Sequence, residues 1–276
     1  MDVKKMLAVG TAIVGTVAMA DIVSSSVVGY LGNDMKASGF DMASGSFASV
    51  SASNGSCTLA DFSVSGYDAP VWDDDEGEWV DGCGAGDFVV QFLTSSGTVG
   101  SKYCWIDNGE QTAGWYNTNG SAIEGGAASV TIPAGQAMWI RGRGMKLTSA
   151  GAVNEEDIVF LTRASGFDAV GNATPVNLTL AKLTVSGYDA PVWDDDEGEW
   201  VDGCGAGDFV VQFLTSSGTV ESKYGWIDNG EQAAGWYNTN GSAIEGGANS
   251  VSIPAGLGLW VRGRGMSLRV PAPELN

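Results

Sequence analysis

The sequence predicts an all-β protein made of two tandem homologous β-sandwich or barrel-like domains that follow an N-terminal signal peptide. Three observations lead to this prediction. The 276 residues include 41 glycines but only 7 prolines, and apolar segments between glycine-containing turns are typical of short strands. Residues 62–147 align without a gap with residues 183–268, and 74 of the 86 positions are identical. The first 20 residues have the order of regions found in secretory leaders.

The N-terminus predicts export. Lys4 and Lys5 precede an apolar stretch, and Ala18-Met19-Ala20 matches the A-x-A cleavage pattern, so the mature chain is expected to begin at Asp21. A retained N-terminal helix, of the kind that filament subunits pack in their cores, is the alternative. The stretch is too short to span a bilayer comfortably, and we expect no membrane span in the mature chain. The expected location is secreted, extracellular or on the cell surface.

The duplication sets the expected domain boundaries. These are a signal peptide at 1–20, a first β domain at 21–147, a second β domain at 148–270 and a C-terminal tail at 271–276. The period of about 120 residues is too long for a solenoid repeat and suits one sandwich or barrel domain. Within the first copy, strands are predicted at Asp87–Leu93, Ser101–Ile106 and Ala137–Arg141, between turns such as Asn108-Gly109.

An acidic hairpin gives the sharpest local prediction. A type I turn followed by a left-handed Gly77 places Trp72 opposite Trp79 in the segment Val-Trp-Asp-Asp-Asp-Glu-Gly-Glu-Trp-Val. The second copy repeats the pattern with Trp193 and Trp200. Exposed aromatic rings suit sugar rings, whereas buried ones fill small β cores. These four tryptophans are candidate ligand platforms. For the aromatic residues beyond the hairpin, core filling is favoured over a sugar platform; they include Tyr103, Trp105, Trp115 and Tyr116.

The same hairpins are candidate Ca²⁺ sites, because crowded carboxylates repel one another and a hard cation relieves that repulsion. The candidate ligands are Asp73, Asp75, Asp194 and Asp196. Alternate residues of a strand point to opposite faces, so a solvated acidic hairpin is the competing interpretation. A glycosidase site fits less well, since it needs two carboxylates that face one cleft. The expected cofactor is none, with Ca²⁺ as the alternative.

Composition narrows the chemistry further. The net charge of −20 argues against nucleic-acid partners, because phosphate contacts need lysine and arginine. The sequence has no histidine, which removes Ser-His-Asp and Cys-His catalysis and every histidine-containing metal site. We therefore expect that the protein is not an enzyme.

The four cysteines fall into two groups. Cys57 and Cys104 both lack a counterpart in the second copy, and residues lost or gained together predict a Cys57–Cys104 disulfide. Cys83 and Cys204 occupy equivalent Asp-Gly-Cys-Gly-Ala-Gly-Asp loops. Three options stay open for them: a bond between the two domains, a bond between molecules, or free thiols.

Two features predict self-association. The clustered arginines are natural partners for the acidic hairpin of a neighbouring domain or molecule, with simple solubilising charge as the alternative. They are Arg141, Arg143, Arg262 and Arg264. The apolar segment at the start of the mature chain is β-prone and suited to adding a strand to an adjacent subunit's sheet edge. Its candidate residues are Ile22, Val23, Val27, Val28 and Tyr30.

Three segments resemble a group of uncharacterised exported tandem β-repeat surface proteins of Gram-negative bacteria. They are Ile22-Val-Ser-Ser-Ser-Val-Val-Gly-Tyr30, Ala37-Ser-Gly-Phe-Asp-Met42 and Ile132-Pro-Ala-Gly-Gln-Ala-Met-Trp139. The group begins its mature chains with a similar Val-Val-Gly-Tyr segment and repeats such units. The resemblance implies a secreted or cell-surface place, and it supplies no catalytic residues.

Together these observations predict an extracellular structural protein, a self-assembling cell-surface filament or surface-layer subunit whose partner is itself. The alternative is a secreted bivalent carbohydrate-binding module, in which two copies raise avidity for a polysaccharide without new contacts. The sequence leaves open whether the two copies face each other or lie end to end.

Overall fold

The computed structural model describes residues 28–49, 55–94 and 96–274, and this part of the chain is all-β. Its helical segments are three-residue 3₁₀ turns at Leu59–Asp61, Ala127–Ser129, Leu180–Lys182 and Ala248–Ser250. Over these same residues, no helix has the length and apolar character needed to cross a membrane. The predicted signal peptide at 1–20 lies outside the described residues.

The strands follow the duplication. Those of the first copy are β1 (Val28–Asp34), β2 (Asp41–Ser44), β3 (Cys57–Thr58), β4 (Phe62–Ser65), β5 (Val71–Asp73), β6 (Glu78–Val80), β7 (Cys83–Leu93), β8 (Val99–Asp107), β9 (Gly114–Asn117), β10 (Thr131–Ile132), β11 (Ala137–Arg141) and β12 (Lys146–Ala152). Those of the second copy are β13 (Ile158–Leu161), β14 (Asp168–Gly171), β15 (Leu178–Thr179), β16 (Thr184–Ser186), β17 (Val192–Asp194), β18 (Glu199–Val201), β19 (Cys204–Leu214), β20 (Val220–Asp228), β21 (Gly235–Asn238), β22 (Ser252–Ile253), β23 (Gly258–Arg262) and β24 (Ser267–Val270). Strand β12 continues past the predicted boundary at residue 147, so the strands of the first copy end at Ala152.

Both copies have the same sheet order. A five-stranded sheet runs β2-β11-β7-β8-β9 in the first copy and β14-β23-β19-β20-β21 in the second. A three-stranded sheet runs β1-β12-β4 in the first copy and β13-β24-β16 in the second. A two-stranded sheet is formed by β3 and β10 in the first copy and by β15 and β22 in the second. The hairpins β5-β6 and β17-β18 form separate two-stranded sheets. The predicted strands at 87–93, 101–106 and 137–141 are confirmed as parts of β7, β8 and β11.

Alternation along β7 places its side chains in two environments. Phe88 and Val90 join the main core of the first copy, whereas Val89 packs on the other face with Cys104 and Ile106. The second copy has its own equivalent core. Each large apolar side chain that is fully buried stabilises the fold by roughly 1.5–3 kcal/mol. The cores, and not the acidic surface, therefore hold each copy together.

Paired tryptophans complete each core. Trp115 is buried, its Nε1 donates to the Phe62 carbonyl at 2.9 Å, and its ring meets Trp105 edge-on with centroids 5.4 Å apart. Trp236 makes the equivalent contacts in the second copy. A buried indole needs such a partner for its N–H group. These tryptophans are thus structural, in contrast to those of the hairpins.

The two copies face each other across a reciprocal backbone contact. Ala43 pairs with Leu257, and the equivalent residues with the copies exchanged, Val170 and Gln136, pair in the same way. The backbone N–H of Ser44 likewise donates to the Gly256 carbonyl, and that of Gly171 donates to the Gly135 carbonyl. The copies are therefore related by an approximate two-fold axis, the arrangement of an isologous dimer within one chain.

Candidate functional site

The acidic hairpin of each copy has the predicted strand pairing. Trp72 of β5 lies directly opposite Trp79 of β6, and Gly77 has a left-handed φ of 69°. The two indole rings meet edge to face, with centroids 5.6 Å apart and planes inclined by 72°. Trp193 and Trp200 repeat this geometry at 5.6 Å and 72°. The prediction of a cross-strand tryptophan pair is confirmed in both copies.

The carboxylate at the start of the turn is used inside the hairpin. Asp73 Oδ1 accepts hydrogen bonds from the backbone N–H groups of Asp75 at 2.8 Å and Glu76 at 3.2 Å. Asp194 accepts the equivalent pair in the second copy. Such a carboxylate fixes the shape of the turn. Within the described part of the chain, no group of three or more acidic or cysteine side chains is placed to hold a metal ion. Ca²⁺ binding by the predicted ligands, Asp196 included, stays a prediction.

The hairpin presents an apolar patch to solvent. Val71, Trp72 and Trp79 are 54, 48 and 39% exposed, and the second copy repeats these values closely. A shallow concavity of about 450 Å³ runs along the second hairpin and is lined by Trp193 and the carboxylates at 194–196, among others. A contiguous exposed apolar patch that is rimmed by polar groups is a mark of a binding surface.

A hydrogen-bond chain holds the base of the hairpin. The Tyr67 hydroxyl donates to Asp107 Oδ2 at 2.9 Å and accepts from Trp105 Nε1 at 3.0 Å. Burial raises the pKa of Tyr67 to about 12, so the hydroxyl keeps its proton at neutral pH. The Gly82 N–H group donates to the Asp68 carbonyl at 2.9 Å. The Tyr67 bonds tie the start of the hairpin to β8 of the five-stranded sheet, and the Gly82 bond joins the two ends of the hairpin.

Strand β6 of the hairpin packs through Trp79 on the turn that follows β8. Gly109 has a φ of 79°, and a Cβ added there would lie 2.2 Å from Cδ2 of Trp79. Gly230 has the same relation to Trp200, at 2.3 Å. Only glycine permits both this backbone conformation and this approach. The hairpin is therefore fixed at its base and along one tryptophan.

Sequence reasoning missed these supports. It predicts the Asn108-Gly109 turn, but not that a tryptophan packs on it. Tyr67 and Asp107 are 40 residues apart in the sequence, and no local pattern joins them. The second copy has the equivalent tyrosine and aspartate, Tyr188 and Asp228. Because most aligned positions are identical, this identity does not distinguish the supporting residues from the others.

The arginines have partners inside their own copy. Arg143 Nη1 lies 2.7 Å from Asp87 Oδ1, and Arg264 forms the equivalent ion pair. Arg141 donates to the backbone carbonyl of Gly86, and Arg262 donates to that of Gly207. This happens because β11 lies beside β7, and β23 beside β19, in the sheet. Contacts of these arginines with the acidic hairpin of a neighbouring domain or molecule stay a prediction.

The structure contradicts the predicted Cys57–Cys104 disulfide, since both residues are buried free thiols. Cys104 lies opposite Val89 in the sheet, on the face away from Phe88. Cys57 packs on the other face, in the core that contains Phe88. Cys104 Sγ instead donates to the Asn117 carbonyl at 3.3 Å. The sheet itself separates the two sulfur atoms.

All four thiols are expected to be unreactive in the native protein. Cys83 and Cys204 are free, fully buried, and each lies in the core of its own copy. Burial raises the pKa of Cys57, Cys83 and Cys204 to about 12 and that of Cys104 to about 11. Because the thiolate is the reactive form, iodoacetamide at about pH 8 should leave the native protein unmodified. After unfolding without reductant, iodoacetamide should modify all four cysteines, as counted by mass spectrometry. A count of two would show that one disulfide is present.

The predicted assembly strand lies only in part within the described residues. Val28 and Tyr30 belong to β1, which pairs along its length with β12 of the same chain. Ile22, Val23 and Val27 lie outside the described residues. Strand β1 is at the edge of its sheet, and Val28 and Tyr30 are 62 and 76% exposed. The segment is thus already part of its own sheet, with one edge left for pairing.

Comparison of the chain with protein-family models, curated proteins and solved structures found no match. The described part of the chain is all-β and carries two equivalent, anchored hairpins, each with an exposed tryptophan pair.

Proposed function

We propose that the protein is exported from a bacterial cell and binds carbohydrate through its two hairpins, one on each of two sandwich-like domains. The observation that carries the proposal is the exposed tryptophan pair, Trp72 with Trp79 and Trp193 with Trp200. A separate hydrophobic core in each copy supports the division into two domains.

The chemistry of the hairpin suits a sugar ring. Exposed indole rings give a large, rigid apolar surface against which the C–H face of a pyranose packs. The carboxylates of Asp74 and Asp75 beside them accept hydrogen bonds from sugar hydroxyls. The net charge of −20 repels polyanions, so the ligand is an uncharged or cationic polysaccharide.

The duplication lets two weak sites bind one polymer together. A single shallow platform binds weakly, because little ligand surface is buried. Two sites joined in one rigid chain can raise avidity by about 10²–10⁴ when both engage one polymer. The reciprocal contact between the copies fixes the distance between the two hairpins. We propose binding without catalysis, since the carboxylates of Asp73 and Asp194 are engaged in the backbone hydrogen bonds of their own turns.

The double variant Trp72→Ala with Trp193→Ala tests the proposal on a glycan array. Both side chains are about half exposed, so the fold should be retained while the stacking surface is lost. We expect the double variant to lose at least about tenfold in binding, and each single variant to lose only the avidity. Glu110→Ala with Glu231→Ala, which removes exposed side chains at equivalent positions outside the hairpins, is the matched control. Unchanged binding by the double tryptophan variant would contradict the proposal.

A self-assembling surface filament or layer is the second candidate. The edge strands β1 and β13 favour it, because Tyr30, Val159 and Leu161 are 76, 61 and 70% exposed on them. Negative-stain electron microscopy of the mature protein, with and without Ca²⁺, should then show regular polymers. Lysine at positions 28 and 30 (Val28→Lys with Tyr30→Lys) should abolish them, whereas intact polymers from this variant would exclude assembly through β1.

A further inference from the structure

A second concave site lies between the two copies. It has a volume of about 300 Å³, and its walls are made of equivalent residues from each copy. The pairs that matter are Gln91 with Gln212, Trp139 with Trp260, and Leu93 with Leu214. The cleft therefore lies on the approximate two-fold axis. Neither copy alone supplies both walls.

Strand register places the polar and aromatic groups side by side. Gln91 of β7 lies directly opposite Trp139 of β11, and Gln212 lies directly opposite Trp260. Phe40 stacks on Trp139 with centroids 5.3 Å apart and an interplanar angle of 21°. The equivalent stack on Trp260 has a centroid separation of 5.4 Å and an angle of 7°. Each tryptophan is thus held in position by its own copy.

Each wall also receives a turn from the opposite copy. A Cβ added at Gly97 would lie 3.5 Å from the Trp260 ring, and one added at Gly218 would lie 3.2 Å from the Trp139 ring. These reciprocal approaches show that the turns after β7 and β19 close over the partner tryptophans. The cleft is therefore preformed by the contact between the copies, which lowers the ordering cost of binding.

The lining is uncharged but can form hydrogen bonds. No charged residue lines the cleft in the described part of the chain. The side-chain amides of Gln91 and Gln212 make no hydrogen bond to another described residue. Each amide offers donors and an acceptor. An uncharged ligand with an apolar face and several hydroxyl groups matches this combination, and the volume is at the lower end of the range of about 300–1,000 Å³ for ligand pockets.

We propose that this cleft binds an uncharged mono- or disaccharide unit, with the ring packed on Trp139 or Trp260 and its hydroxyls bonded to the two glutamine amides. The site is separate from the hairpins, so it does not depend on the function proposed for them. It would hold one sugar unit at the axis of the chain.

Isothermal titration with cellobiose, maltose and N,N′-diacetylchitobiose tests the cleft. At least one of these probes should bind the wild-type chain, and the hairpin variant Trp72→Ala with Trp193→Ala should keep that binding. The cleft variants are made in that hairpin variant, so that only the cleft is left to bind. Gln91→Leu with Gln212→Leu keeps the shape of the walls but removes the amides, and it should weaken binding by about tenfold or more. Leu93→Trp with Leu214→Trp fills the cleft and should abolish binding. Thermal unfolding of both cleft variants checks that they are folded.

The outcomes separate the two proposals. Binding that is lost in the cleft variants and kept in the hairpin variant supports the cleft. Binding that is kept in both folded cleft variants, or the failure of all three probes to bind at about 10 mM, overturns it. Loss of binding in the hairpin variant alone supports the hairpins and overturns the cleft.

Discussion

Replacing Trp236 with alanine is expected to lower the free energy of unfolding by about 3–5 kcal/mol. The side chain is 6% exposed, and its Nε1 donates to the Leu183 carbonyl at 2.8 Å. Its ring meets Phe209 and Trp226 edge-on, with centroids 6.1 and 5.4 Å apart. Alanine would leave a cavity among these rings and an unpaired buried carbonyl, and the two costs add.

Urea unfolding followed by circular dichroism measures this loss. Trp193→Ala is the matched control, because the same residue type is removed from a position that is 47% exposed. Its cost should stay near 0.5 kcal/mol, roughly the limit for surface substitutions. Equal losses for Trp236→Ala and Trp193→Ala would contradict the division of the tryptophans into core and exposed groups.

Alanine at both Gly109 and Gly230 is expected to displace the hairpins and remove carbohydrate binding. Each glycine has a φ of 79°, and the added Cβ would lie within 2.3 Å of a ring atom of Trp79 or Trp200. The tryptophan must therefore move, and the edge-to-face pair is lost with it. The share of the far-ultraviolet exciton couplet that comes from the hairpin indole pairs should be lost, together with binding on the glycan array, while the share from the core pairs Trp105–Trp115 and Trp226–Trp236 remains.

Gly120→Ala with Gly241→Ala is the control for backbone strain. These glycines have φ values of 80° and 82°, but an added Cβ would meet nothing within 4 Å. Each substitution should cost roughly 1–2 kcal/mol for the left-handed backbone while the couplet and the binding remain. If the two double variants behave alike, strain and not the contact with tryptophan would explain the loss.

Local patterns predicted the hairpins well. Trp72 and Trp79 are seven residues apart around a turn with one well-placed glycine, so their pairing depends only on nearby residues. The strands that contain Phe88 and Val90 follow from period-two alternation for the same reason. Where the fold depends on neighbours in sequence, the sequence was sufficient.

Long-range pairings were predicted less well. The predicted disulfide relied on the joint absence of two cysteines from the second copy, which says nothing about the face that each occupies. Cys104 lies on the face of Val89, its partner across the sheet, and Val89 is on the opposite face of β7 from Phe88. Finding that face therefore requires the register between β7 and β8. Likewise, Arg143 and Asp87 are 56 residues apart, and only the β11–β7 pairing brings them together.

The cleft between the copies was beyond sequence reasoning. The same duplicated sequence is compatible with copies that lie end to end, and in that arrangement Gln91 and Gln212 would belong to two separate surfaces. The contact that joins them uses backbone groups, such as those of Ser44 and Gly256, which leave no mark in the residue pattern.

The most direct test of the hairpin site follows the tryptophan indole N–H signals of the ¹⁵N-labelled protein during a titration with the best glycan from the array. The chain has ten tryptophans, so each signal can be assigned by substitution. We expect the signals of Trp72, Trp79, Trp193 and Trp200 to shift, while those of the buried Trp115 and its counterpart in the second copy stay in place. A titration in which the hairpin signals do not move while the glycan binds would contradict it.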